Sequence, residues 1–81
     1  MRIRVLAFAR LREILNAAET TVELRDGACI RDAWAALAAS CPALEEHAAS
    51  TRVACNSKLV AFEHALHDGD EIALLPPVGG G

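Results

Sequence analysis

Hydrophobic positions along the chain follow two periods, one of two residues and one of about three and a half. Residues Arg2 to Phe8 alternate, with Ile3, Val5 and Ala7 on one side and Arg2, Arg4, Leu6 and Phe8 on the other. That alternation predicts a strand with one face in the core and a second face charged at one end and apolar at the other. Leu11, Ile14 and Leu15 then recur at i, i+3 and i+4, predicting a short helix over Ala9 to Leu15, with Asn16 as a left-handed stop. Thr20 to Arg25 alternates again and ends at Asp26-Gly27, a second strand.

The strongest helical signal is the stripe Ile30, Ala33, Trp34, Leu37, Ala38 and Cys41. Trp34 lies in mid-stripe and is expected in the core. The start of this helix lacks the usual Ser, Thr, Asp or Asn cap, since Cys29 stands there, and Asp32 in the first turn compensates only in part through the helix dipole. Pro42 ends it by disfavouring helix at Cys41. Ala43 to Ser50 has room for one further helical turn. Arg52 to Cys55 and Leu59 to Phe62 read as short strands around Asn56-Ser57-Lys58.

The chain closes on Asp68-Gly69-Asp70-Glu71-Ile72-Ala73-Leu74-Leu75-Pro76-Pro77-Val78-Gly79-Gly80-Gly81. Asp-Gly opens a tight turn, Ile72 to Leu75 forms a short buried strand, and the two prolines remove the backbone donors a sheet would need. The chain is therefore expected to leave the fold at Pro76. Glycines cannot pack, so such a tail is useful mainly as something another protein grips. Its six residues from Pro76 reach roughly 20 Å when extended, which carries the Gly81 carboxyl deep into a partner's cleft. That carboxyl carbon is sterically open, but a terminal carboxyl group ordinarily ionises at about pH 3.3–3.7, and the carboxylate is a poor electrophile. Chemistry there needs activation, as an acyl phosphate or acyl adenylate made by a second protein.

Eighty-one residues allow one domain and a small core. A net charge of -3 argues against a nucleic-acid or anionic-membrane binder, and Arg2, Arg4, Arg10 and Arg12 read as solvated positions of a strand and a helix. Three cysteines, Cys29, Cys41 and Cys55, without a C-x-x-C pair point away from disulfides and zinc and toward a reducing compartment. The N-terminus has no signal-like apolar segment, so a cytoplasmic protein is expected. His64 and His67 lack companions for a metal and read as surface residues, while Asp68, Asp70 and Glu71 read either as a lure for a basic partner or as a solvated turn.

The order of strand, short helix, strand, long helix and short strands predicts an α+β domain, a sheet covered on one face by one main helix. The first and last strands are the most apolar and are expected as parallel neighbours at the sheet centre. This order resembles the β-grasp fold of ubiquitin-like proteins. The ending quoted above, Ile3-Arg4-Val5-Leu6-Ala7-Phe8-Ala9 with Leu11-Arg12-Glu13, and Val53-Ala54-Cys55-Asn56 with Leu59-Val60 resemble the MoaD-type small subunit of molybdopterin synthase. The resemblance runs the full length and divides the chain into a β-grasp domain, 1–75, and a flexible Gly tail, 76–81.

What the resemblance implies is a sulfur carrier that is not itself catalytic. Gly81 would be adenylated by an E1-like adenylyltransferase of the MoeB type, which uses ATP, and then converted to a thiocarboxylate. Gly79, Gly80 and Gly81 would enter the active site of the large synthase subunit, of the MoaE type, in a heterotetramer. There the tail would give sulfur to a pyranopterin precursor, two carriers completing one dithiolene. No cofactor or metal would be bound by this chain. The resemblance also implies an apolar docking face at Phe8, Leu59 and Leu75, continued by Pro76, Pro77 and Val78. The sequence departs from the family where Gly79 replaces the usual Ser or Thr, and Cys29 a capping Thr. The competing readings are a ThiS-like carrier for thiazole synthesis, against which the long stripe from Ile30 to Cys41 counts, a ubiquitin-related modifier, and a non-catalytic β-grasp interaction module with a passive tail.

Overall fold

Five strands form one mixed sheet, in the order β2-β1-β5-β3-β4, in a computed structural model that describes residues 1–77. The strands are β1 (Arg2–Ala7), β2 (Glu19–Glu23), β3 (Arg52–Cys55), β4 (Lys58–Val60) and β5 (Glu71–Leu75). The helices are α1 (Ala9–Leu15) and α2 (Ile30–Ser40), and a 3-10 helix runs from Pro42 to Ser50. β1 and β5 are central and parallel, Val5 opposite Ile72 and Ala7 opposite Leu74. Every other pairing of these strands is antiparallel.

The inward face follows from alternation. Ile3 and Val5 of β1, Ile72 and Leu74 of β5, and Val53 of β3 are at most 1% exposed and meet Ile30, Ala33, Trp34 and Leu37 of α2. Leu11 of α1 and Leu44 of the 3-10 helix close the ends of this core. Trp34 packs in the core beside Phe62, ring centroids 5.9 Å apart, and the Arg31 guanidinium lies over the Phe62 ring, 5.4 Å from its centroid. No helix among the described residues is long and apolar enough to cross a membrane.

α2 is capped by the tertiary fold. The Ile30 and Arg31 N–H groups donate to the His64 and Phe62 carbonyls at 3.0 and 2.9 Å, and the Asp32 carboxylate accepts the Cys29 N–H at 2.9 Å. The first two helix donors are thus met by a loop far downstream, while Cys29 and Asp32 form a capping box in which the Cys29 side chain faces the Asp32 N–H. Hydrogen bonds from Cys29 also hold the Asp32 carboxyl below its ordinary range. Asp32 does more than interact with the helix dipole.

Several boundaries differ from the sequence reading for the same reason, register. β2 begins at Glu19, opposite Leu6, and stops at Glu23, opposite Arg2, after which one last backbone bond, from the Leu24 N–H to the Met1 carbonyl at 2.9 Å, closes the ladder. β4 is Lys58–Val60 rather than Leu59 to Phe62. Asn56 and Ser57 both take positive φ, 49° and 76°, so the turn needs two residues and the strand starts one place earlier. The chain then leaves the sheet at Ala61, whose carbonyl accepts the His64 N–H, and that departure frees Phe62 and His64 to cap α2. Between α2 and β3, the expected single turn is a nine-residue 3-10 helix, pinned by fully buried Leu44 and by the Thr51 hydroxyl donating to the His47 carbonyl at 2.7 Å.

Candidate docking face and tail root

The second face of the sheet carries no helix among the described residues, and it is apolar where the last strand ends. Leu6, Ala73, Ala54 and Leu59 lie opposite one another across β1, β5, β3 and β4. The two alanines keep the middle of this row low between the larger flanking side chains. Leu75, the last residue of β5, lies opposite Arg52. Phe8 follows Ala7, the partner of Leu74, and so stands at the same end of the parallel pair. Phe8 is 45% and Leu59 61% exposed, the two large hydrophobic residues left most open to solvent among those described. An apolar group of this kind, contiguous and unpacked, marks a protein interface.

Phe8 reaches this position through a sharp change of direction. It is the extended residue before α1, and Ala9 takes a φ of 51°, in the left-handed region that a residue with a Cβ visits at a cost. The turn redirects the backbone toward the inner layer and leaves the Phe8 ring behind on the bare face. α1 then ends as the sequence reading expects, at Asn16 with φ 56°.

The opposite end of β5 is clamped. The Asp70 carboxylate accepts the His67 N–H at 2.9 Å and the Asn56 side-chain amide at 3.0 Å, with the Cys55 thiol 3.7 Å away. The Asn56 side-chain oxygen in turn accepts the Glu71 N–H at 3.1 Å, and the Asn56 backbone N–H donates to the Glu71 carbonyl at 2.8 Å. Asp68 accepts the Arg2 N–H at 2.8 Å. The acidic residues of this turn are therefore built into the joint between β1, β5 and the β3–β4 turn. Asp68 and Gly69 are exposed, so this is the solvated turn that one of the two readings expects, with its carboxylates also serving as acceptors for the neighbouring strands. The His67 N–H first, then Asn56, holds the Asp70 carboxyl below its ordinary range. Burial first, then the Asp70 charge, pushes the Cys55 thiol up and keeps it neutral. Gly69, with φ 86°, makes the turn possible.

The structure places Phe8, Leu59 and Leu75 on one face of the sheet, spread across its strands from β1 to β4, with half-buried Pro76 and exposed Pro77 following Leu75. Val78, Gly79, Gly80 and Gly81 lie outside the described residues. Leu6, Ala54, Ala73 and Arg52 belong to the same face, and the sequence reading does not name them as part of it. Alternation along β3 and β5 is the signal that places Ala54 and Ala73 there. Arg2, Arg4 and Arg10 pair with Glu23, with Glu19 and Glu71, and with Glu13, respectively, so three of the four early arginines are occupied on the surface.

A mixed sheet with a central parallel pair, one long helix across one face and a last strand that runs out into a tail defines a β-grasp, ubiquitin-like domain. The chain belongs to the ThiS family, whose model matches residues 5–81. It is 42% identical to the molybdopterin synthase sulfur carrier subunit of Chlamydomonas reinhardtii, over the whole of both chains. Among solved structures, SAMP1 from Haloferax volcanii superposes with a TM-score of 0.89 at 31% identity, covering all of both chains. A chain from the complex of subunits 1 and 2 of the molybdopterin-converting factor from Helicobacter pylori 26695 superposes with a TM-score of 0.70 at 27% identity, again over all of both.

Proposed function

We propose that this chain is the sulfur carrier of molybdopterin synthase, and that it carries sulfur as a thiocarboxylate on Gly81. The observation that carries the reading is the coincidence of the bare apolar face with the root of the tail. Leu75 is at once the last residue of β5 and a member of that face, so a partner docked there receives the tail directly. The clamp at Asp70 and Asn56 holds β5 while the tail is pulled into a partner. Full-length likeness to a named carrier subunit, and to a chain from a complex of subunits 1 and 2, supports the same reading.

In this reading an E1-like adenylyltransferase of the MoeB type joins a Gly81 carboxylate oxygen to the α-phosphorus of ATP, and pyrophosphate leaves. Sulfur at the oxidation level of sulfide then displaces AMP at the acyl carbon. The resulting thiocarboxylate is a softer and stronger nucleophile than the carboxylate it replaces. Within the large subunit, of the MoaE type, the thiocarboxylate sulfur forms a C–S bond to the pyranopterin precursor as a C–O bond of the precursor breaks, and water then cleaves the resulting thioester, leaving the sulfur on the pterin and restoring the carboxylate. The chain itself binds no cofactor and contributes no acid or base. It works in the cytoplasm, in a heterotetramer of two carriers and two large subunits.

The test is intact mass after incubation with ATP, the activating enzyme and a sulfur donor. Exchange of one terminal oxygen for sulfur is expected; an unmodified terminus, under conditions that thiolate a control carrier, contradicts the proposal. A second reading, protein modification, is favoured by the likeness to SAMP1 and to a relative named small archaeal modifier protein 1, 34% identical. Conjugates to lysine side chains would establish it. A passive interaction module would keep its partner affinity and every other property after deletion of Gly80 and Gly81, whereas a carrier loses all sulfur transfer.

A further inference from the structure

We infer that Arg52 sets the specificity of the docking face by meeting a carboxylate on the large subunit. This rests on the carrier reading above and goes beyond it, to the chemistry of the surface that must lie opposite.

The chain has eight Lys and Arg residues, and most are neutralised internally. Arg2, Arg4, Arg10, Arg25 and Arg31 each pair with a Glu or Asp at 2.6 to 4.0 Å. Arg12 sits in the last turn of α1, where the exposed carbonyls of the helix end favour a cation. Lys58 lies on the edge strand, opposite Cys55 of the inward set and off the bare face. Arg52 is exposed, lies on the bare face, and makes no ion pair among the described residues.

Its surroundings are apolar. Leu75 is its partner across the strand pair, and Ala54 is the next residue on the same face. Glu71, the acid of β5, is four residues from Leu75, roughly 13 Å along the strand. The ion pairs of this face are centred on Arg2 and Arg4 toward the other end of β1, and Glu19, the acid beside Leu6, is taken up by Arg4 on the far side of β1 from Arg52. Arg52 is thus a lone guanidinium in the apolar half, at the root of the tail. A partner that covers Phe8, Leu59 and Leu75 also removes water from Arg52. Burying that charge without a counter-charge is strongly unfavourable, so only a surface that places a carboxylate there gains from the contact. Arginine suits the task because its planar fork holds a carboxylate through two parallel hydrogen bonds.

The experiment compares binding of the cognate large subunit to the wild-type chain, Arg52→Leu and Arg52→Glu by calorimetry, at low and high salt. Arg52→Leu is expected to weaken binding at least about tenfold although it makes the face more apolar, and Arg52→Glu by more. Wild-type affinity should fall with salt more steeply than that of Arg52→Leu. Thermal unfolding, expected unchanged in both variants because the side chain is exposed, separates this from a folding defect. Leucine binding as tightly as arginine or tighter, or an equal salt dependence, overturns the inference. So does a loss confined to the activating enzyme. If the wild-type chain itself fails to bind the large subunit, the carrier reading falls, and the role of Arg52 with it.

Discussion

The two faces of the sheet are made by the same strands and each carries a row of apolar residues, yet only one row is covered. On the inner side, Ile3, Val5, Ile72 and Leu74 are at most 1% exposed beneath α2. On the outer side, at neighbouring positions of the same strands, Leu6, Phe8, Ala73 and Leu75 share the uncovered face with Ala54 and Leu59. An ordinary half-buried sheet has polar residues on its solvent face. Here two of the large outer residues, Phe8 and Leu59, stay 45% and 61% exposed and so add little burial to the fold. The difference separates residues that hold the domain together from residues kept for a partner.

That contrast breaks most visibly between a buried and an exposed leucine. Leu74→Ala should destabilise the domain by about 3 kcal/mol, since a fully buried leucine loses both transfer energy and packing. The melting temperature of so small a domain should drop by more than about 10 °C. Leu59→Ala, at an exposed position, should stay within about 0.5 kcal/mol of wild type. Equal losses in the two would erase the distinction.

The clamp comes next. Asp70→Asn replaces an acceptor of three donors by an amide and should cost about 2 kcal/mol at neutral pH, measured by denaturant unfolding. Because the Asp70 carboxyl titrates lower in the folded chain than its ordinary 3.8, its charge contributes fully above that pH. The contribution is lost as pH falls through the folded-state pKa, so the gap between wild type and variant should close in strong acid. A gap that persists there would show that the charge is not what matters.

On the outer face, Phe8→Asp should leave the melting temperature nearly unchanged and weaken large-subunit binding by at least about tenfold, or about 1.4 kcal/mol. The smallest effect is expected at the turn behind it. Ala9→Gly relieves a left-handed alanine, a gain of about 1–2 kcal/mol, against the extra chain entropy glycine loses, so a net stabilisation near 0.5 kcal/mol should appear in unfolding curves. Destabilisation instead would mean that Ala9 is not strained.

Much of this is legible in the amino-acid sequence because it is local. Period two marks β1, period three and a half marks α2, and Asn16 and Gly69 mark the end of α1 and the turn before β5. Two strand ends escape a sequence reading because register, set by a partner strand, decides them: β2 stops where β1 does, and β4 starts after a two-residue turn. The cap of α2 is invisible for a related reason. Its donors are met by carbonyls of Phe62 and His64, and no local pattern announces a distant carbonyl. At the site, Phe8 and Leu75 are visible through alternation, and Leu59 through family resemblance. Arg52 is silent in the sequence, since a lone charge acquires meaning only when its neighbours in space are known to be apolar.

The central claim is that the folded body presents Gly81 and that the reacting atom is its carboxyl carbon. The direct measurement is dithiolene formation by the purified large subunit, activating enzyme, ATP and sulfur donor, with the carrier's C-terminus capped as an amide or extended by one uncleaved residue. Such a carrier should still bind the large subunit through Phe8, Leu59 and Leu75 yet form no sulfurated pterin. Product at the rate of the uncapped chain would contradict the account.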